Sequence, residues 1–250
     1  MKQSYNCAYR LYEILSQITA IEDVNKPMED IWGELLDISA LDRKAILKAQ
    51  IELLELIEEV NVQIKNVGVS NSAIYTNHLN VFANKFFGLH PKNNNIQQLR
   101  AIIPPRVIEQ AQMCSDLLSS NPASAGGEKR LSDEQLNDLL HEVQTLSNLV
   151  FEVEIDNELK AYLVTCLSKF EAAIKMYRLH GSEGFIEFLQ GQMGSLYFHQ
   201  DVLKKTDDES KKVKDAFFGL IGKVNDMVQF AQNTSALLPE VTNVVKDFLN

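Results

Sequence analysis

Apolar side chains recur along this chain at three- and four-residue spacing, the period of a helix that buries one face, and strand-like alternation is almost absent. Cys7, Leu11, Ile14, Ile18 and Ile21 lie on one such face and predict a first helix near residues 4–22. Asn25 and Pro27 interrupt the pattern. A short helix resumes around Ile31, Trp32, Leu35 and Leu36, with Pro27 near its first position, where a missing N–H is tolerated. Ser39 reads as the cap of a long third helix reaching about Asn66, ahead of Gly68, with Ile46, Leu53, Leu54, Ile57, Val60 and Ile64 as its apolar face. About 27 helical residues span roughly 40 Å, which makes this helix the expected spine of the N-terminal half.

Between residues 68 and 103, Asn and Ser punctuate a segment containing Phe82, Phe86 and Phe87, and Pro91–Asn95 reads as a loop. Pro104 and Pro105 restart a helix through Val107, Ile108, Ala111 and Leu118. Residues 121–130, Asn-Pro-Ala-Ser-Ala-Gly-Gly-Glu-Lys-Arg, have the composition of a linker. They divide an N-terminal helical segment, 1–120, from a C-terminal helical bundle, 131–250.

Helix signals sharpen beyond the linker. Ser132 and Gln135 stand at capping-box spacing ahead of a stripe of Leu136, Leu139, Leu140, Val143, Leu146 and Val150. Asp156 caps a helix whose face is Leu159, Leu163, Leu167, Phe170, Ile174 and Tyr177, and Gly181 stands where a left-handed cap belongs. Ser182 reads as the cap of a further helix carrying Ile186, Leu189, Met193 and Leu196. After a charged turn at 204–210 come Phe217, Ile221, Val224 and Val228, then Val241, Val244, Val245 and Phe248 beyond Pro239. Short connections between long helices make neighbours antiparallel, so the expectation is an all-α protein, a helical bundle in two segments with up-down connections. No repeat at the periods of helical solenoids is visible.

Composition agrees with this picture. An apolar fraction of 45% with 23% charged residues belongs to globular rather than disordered chains, and 11 Gly with 6 Pro are too few for a turn-dense β architecture. The net charge of −10 disfavours nucleic acid as a partner, because binding to phosphate needs a basic face. The densest basic run, Lys204, Lys205, Lys211, Lys212 and Lys214, is broken by Asp207, Asp208 and Glu209. Cys7, Cys114 and Cys166 form no C-x-x-C pair and fall on apolar stripes, as buried thiols in a reducing compartment do. The N-terminus lacks the pattern of a secretory signal and no run of 18 apolar residues occurs, so a cytoplasmic location is expected.

Candidate chemistry is sparse. Asp138 with His141 is the nearest approach to a carboxylate–histidine metal pair, and no second pair completes it, so neither a metal nor another cofactor is expected. Glu52, Glu55, Glu58 and Glu59 line the side of their helix away from Leu53, Ile57 and Val60, as a solvated face does. Arg178-Leu179-His180 lacks the Arg-to-His spacing of helical toxin ribonucleases, and no phosphate-cradling glycine loop is present. No catalytic residue is nominated, and a protein that is not an enzyme is expected.

Two features bear on partners. Gly184, Gly191 and Gly194 in one helix and Gly219 and Gly222 in another suggest close helix–helix approach, inside the fold or against a partner. The run Ala216–Leu249 is apolar on one face and carries no charge between Asp226 and Glu240.

From Ser132 to His199 the chain resembles uncharacterised bacterial all-helical proteins of mobile or defence-related loci. The resemblance rests on Ile155–Lys160, Leu163, Leu167, Phe170–Ile174, Tyr177-Arg178 and Gly181–Gly184. It covers about a quarter of the chain, implies an accessory or sensor role in a defence or toxin-type system, and carries over no catalytic residue. The functional expectation is therefore a non-enzymatic cytoplasmic interaction protein with a protein partner or self-association, and Tyr177, Arg178, Phe217 and Phe218 as the candidate surface. The alternative is a membrane-active effector working through amphipathic helices in 216–249. An enzyme assembled in space from His141, His180 or His199 with carboxylates is a third reading.

Overall fold

The computed structural model describes residues 5–121, 128–203 and 207–232. It is all-α. Among the described residues the only β features are two isolated bridges, Tyr5 with Glu128 and Pro27 with Asn95. The chain divides into two compact units, one formed by Met1–Glu128 with Arg178–Gly181, the other by Lys129–Tyr177 with Ser182–Asn250.

In the first unit, α1 (Cys7–Ala20), α3 (Arg43–Asn66), α4 (Ala73–Phe87) and α6 (Pro105–Ser120) pack in a ring, α1 on α6, α6 on α4, α4 on α3 and α3 on α1. The shorter α2 (Met28–Leu36) and α5 (Ile96–Ala101) pack against α1 and each other. Each start has a local cause. Asn6 accepts from Tyr9 N at 2.9 Å and donates through Nδ2 to Ser115 O and Ser119 Oγ, so the cap of α1 also ties it to α6. The long helix begins at Arg43 rather than Ser39: Asp42 accepts from Ala45 N and is the cap, while Ser39 Oγ accepts from Leu41 N in the preceding turn. Both side chains are cap formers, and the later one wins because Ser39 is used by its own turn. The Pro91–Asn95 loop leads into α5 through a capping box of Asn95 and Gln98, an element the hydrophobic pattern did not signal in only 6 residues. Trp32 of α2 meets Phe86 of α4 edge-on, with Phe82 beside it, in the buried interior.

In the second unit, α7 (Asp133–Glu152), α8 (Asn157–Lys175), α10 (Glu183–Phe198) and α12 (Asp208–Gln232) close a second ring in that order, with the short helical turn α11 (Gln200–Leu203) after α10; of the turn α9 (Tyr177–His180), Tyr177 belongs to this unit and Arg178–His180 to the first. Ser132 and Gln135 form the capping box expected of α7, and Asp156 accepts from Glu158 N and Leu159 N at the start of α8. Ser182 makes no side-chain cap for α10; its hydroxyl accepts instead from Gln232 Nε2 at 3.2 Å. Phe185 stacks on Tyr177 and meets Phe170 edge-on within this unit, and Tyr177 Oη accepts from Leu131 N at 2.9 Å.

Candidate functional site

Three of the four surface candidates are core side chains. Phe217 and Phe218 are each 1% exposed, Phe217 packing edge-on against Tyr162, and Tyr177 is 1% exposed against Phe185. The physical reason is helical phase. Phe217 shares its side of α12 with Val213, Ile221, Val224 and Val228, all buried, and Phe218 flanks that arc. These three positions are corrected from a docking surface to packing. Arg178 is half-buried and donates through Nη1 to Gln17 Oε1 at 3.0 Å. Residues 233–249 of the apolar run 216–249 lie outside the described residues, and among the described residues no helix is long and apolar enough to cross a membrane.

The segment Arg178–Gly181 is held by the first unit through a buried polar cluster. Arg10 donates from Nε to Leu179 O at 3.0 Å and from Nη2 to Glu59 Oε2 at 2.9 Å, with Glu128 Oε1 3.9 Å from its Nη1. Burial works against the charged guanidinium, and Glu59 and Glu128 outweigh it and raise the Arg10 pKa above its ordinary value. Gly181 has φ of +62°, and a Cβ there would strike Glu128 Oε1 and come within 2.6 Å of Arg10 Nη1. His180 Nε2 lies 2.6 Å from Glu52 Oε2.

This pairs His180 with a carboxylate, as the third reading requires, and Lys48 approaches the same Glu52 at 3.7 Å. His199 lies tilted against Tyr162 with ring centroids 4.6 Å apart and bonds through Nδ1 to Ser195 O at 2.8 Å. Burial pushes the Cys166 thiol up to about 11. Among the described residues no group of three or more His, Cys, Asp and Glu is placed to hold a metal.

The remaining feature is a groove of about 430 Å³ between α7 and α12 of the second unit, lined by His141, Glu142, Thr145, Leu146, Leu149, Ala216, Gly219 and Leu220. Its floor is apolar, with Leu146 and Leu220 buried, and its upper edge is small, with Ala216 and Gly219 exposed. At one end Lys223 pairs with Glu142 across the two helices. A Cβ placed on Gly191, Gly194, Gly219 or Gly222 meets no atom of the described residues within 4 Å, so packing among them does not call for glycine at these positions.

Sequence reasoning flagged these glycines without locating the groove. The available signal was phase: Ala216, Gly219 and Gly222 recur every three residues on the side of α12 away from Phe217. The chain matches no protein-family model, no curated protein and no solved structure.

Proposed function

We propose that this is a non-enzymatic interaction protein, an accessory or sensor subunit of a cytoplasmic bacterial defence or toxin-type system, that receives an α-helix in the α7–α12 groove. The observation that carries the reading is Gly219, exposed on a regular helix beside an apolar floor, with no neighbour among the described residues within 4 Å of its absent Cβ. Glycine in an exposed helix interior costs about 1 kcal/mol relative to alanine. Gly219 and Gly222 carry that cost with no compensating contact inside the described fold, and the compensation a helix surface obtains from small residues is close approach of another helix. The defence setting rests on the residue pattern between Ser132 and His199.

The test is affinity purification of the tagged chain from its host in three forms: unmodified, Gly219→Trp, and Ile51→Trp as a control on an exposed site of α3. The open space at Gly219 admits the indole, so the circular dichroism spectrum is expected to be unchanged. A stoichiometric partner retained by the unmodified chain and the control, and lost with Gly219→Trp, supports the reading. Equal recovery with Gly219→Trp overturns it.

A further inference from the structure

Between Lys212 and Asp226 the exposed face of α12 carries a charge pattern that is antisymmetric about Gly219; further out, Asp208 would face the exposed Phe230. At 100° per residue, Lys212, Asp215, Ala216, Gly219, Gly222, Lys223 and Asp226 fall within an arc of about 120° centred on Gly219. Gly222 is half-buried and the other six are exposed. Lay two such helices antiparallel with Gly219 opposite Gly219, and residues equidistant from the centre meet. Lys212 of one faces Asp226 of the other, Asp215 faces Lys223, and Ala216 faces Gly222, each twice by symmetry. Opposite charges thus flank a centre of residues without bulk, which is what close helix approach needs.

The pattern also specifies against the alternatives. Sliding one helix by three residues in one direction brings Asp215 opposite Asp226, and in the other direction brings Lys212 opposite Lys223. A parallel pairing in register sets every charge against its own kind. Surface ion pairs are individually weak, and their consistent use is to fix orientation and register.

We infer that the helix received at this groove is α12 of a second copy of the chain, in an antiparallel two-fold pairing centred on Gly219. The inference rests on the reading of the α7–α12 groove as a docking site and names its occupant. The groove lies on the flank of the same face, since Ala216 and Gly219 belong to both and Lys223 links the face to Glu142 of α7.

The test uses sedimentation velocity on the full chain and two exposed charge reversals that leave the Lys223–Glu142 pair intact, Lys212→Glu and Asp226→Lys. The unmodified chain is expected to show a concentration-dependent dimer. Each reversal sets two like-charge contacts across the pairing and is expected to weaken the dimer about tenfold or more. An equimolar mixture of the two variants restores opposite charges at every contact and is expected to recover the dimer. An unmodified chain that is monomeric at every concentration overturns the inference, as do variants that dimerise like the unmodified chain or a mixture that stays monomeric. Loss of a different partner with Gly219→Trp from a chain that is monomeric would leave the docking reading standing while self-pairing falls.

Discussion

Gln110 of α6 holds both ends of a backbone rung in α4: its Nε2 donates to Ile74 O at 2.7 Å, while its Oε1 accepts from His78 N at 2.7 Å and Leu79 N at 3.1 Å. Ile74 C=O and His78 N–H are the groups that an α-helix joins directly, so a buried side chain from a neighbouring helix has entered the ladder. Cys114, one turn further along α6, donates through Sγ to Tyr75 O at 3.1 Å. Gln110→Leu is close in volume and removes all three bonds while leaving the backbone groups behind. The expected loss is about 2 kcal/mol, read as a lower urea midpoint at unchanged slope.

Two glycine substitutions are expected to move stability in opposite directions. Gly181→Ala puts a side chain at φ +62° and drives it into Arg10 and Glu128, so it should destabilise by more than about 1 kcal/mol. Gly219→Ala adds a methyl group in open space on a regular helix and should stabilise the isolated chain by up to about 1 kcal/mol. Thermal melts of the two variants in parallel check both signs.

Arg10→Met removes the guanidinium that sits beside Glu128 and holds Leu179 O, while retaining a side chain of similar length. Breaking a buried ion pair from one side costs about 3–5 kcal/mol. Half-exposed Glu59 contributes little of that, because water replaces its partner. Chemical denaturation should show Arg10→Met far less stable than Glu59→Gln, and equal losses would contradict the cluster's arrangement.

Asp207 accepts from Ser210 N at 2.8 Å at the start of α12, and its hydrogen bonds with Ser210 hold its carboxyl below the usual value of 3.8. A carboxyl lowered in the folded state stabilises it above the unfolded value, and that contribution is lost as pH falls through the folded one. The Ser210 amide resonance is expected to follow this titration. In Asp207→Asn the cap oxygen remains without the charge, and the pH dependence of that resonance should vanish.

The thiols are expected to be inert in the folded chain. Burial pushes Cys114 up to about 12 and Cys166 up to about 11, and raises Cys7 as well. A thiol reagent at pH 8 should label none of the three until denaturant is added, when all three react.

What the sequence made legible was local. The box of Ser132 with Gln135, the Asp156 cap and the left-handed Gly181 are each set by residues within one turn, and each is present in the structure. The Gln110 insertion was hidden because its partners lie more than thirty positions away and no periodicity marks a polar residue aimed at a neighbouring backbone. The surface was misread for a different reason. Phe217 and Phe218 draw attention as large aromatics, but phase puts them inside and leaves Gly219 outside, so the informative residue of the three was the smallest.

The most direct measurement places a cysteine at that smallest position. All three native thiols are buried, so Gly219→Cys supplies the one added exposed thiol, and the antiparallel pairing sets it against its own copy across the two-fold axis. Under mild oxidation by molecular oxygen, Gly219→Cys is expected to form a covalent dimer, whereas Lys212→Cys alone should not, since its counterpart is Asp226. A chain that stays uncrosslinked at 219 under conditions where its thiol is fully reactive would contradict the account.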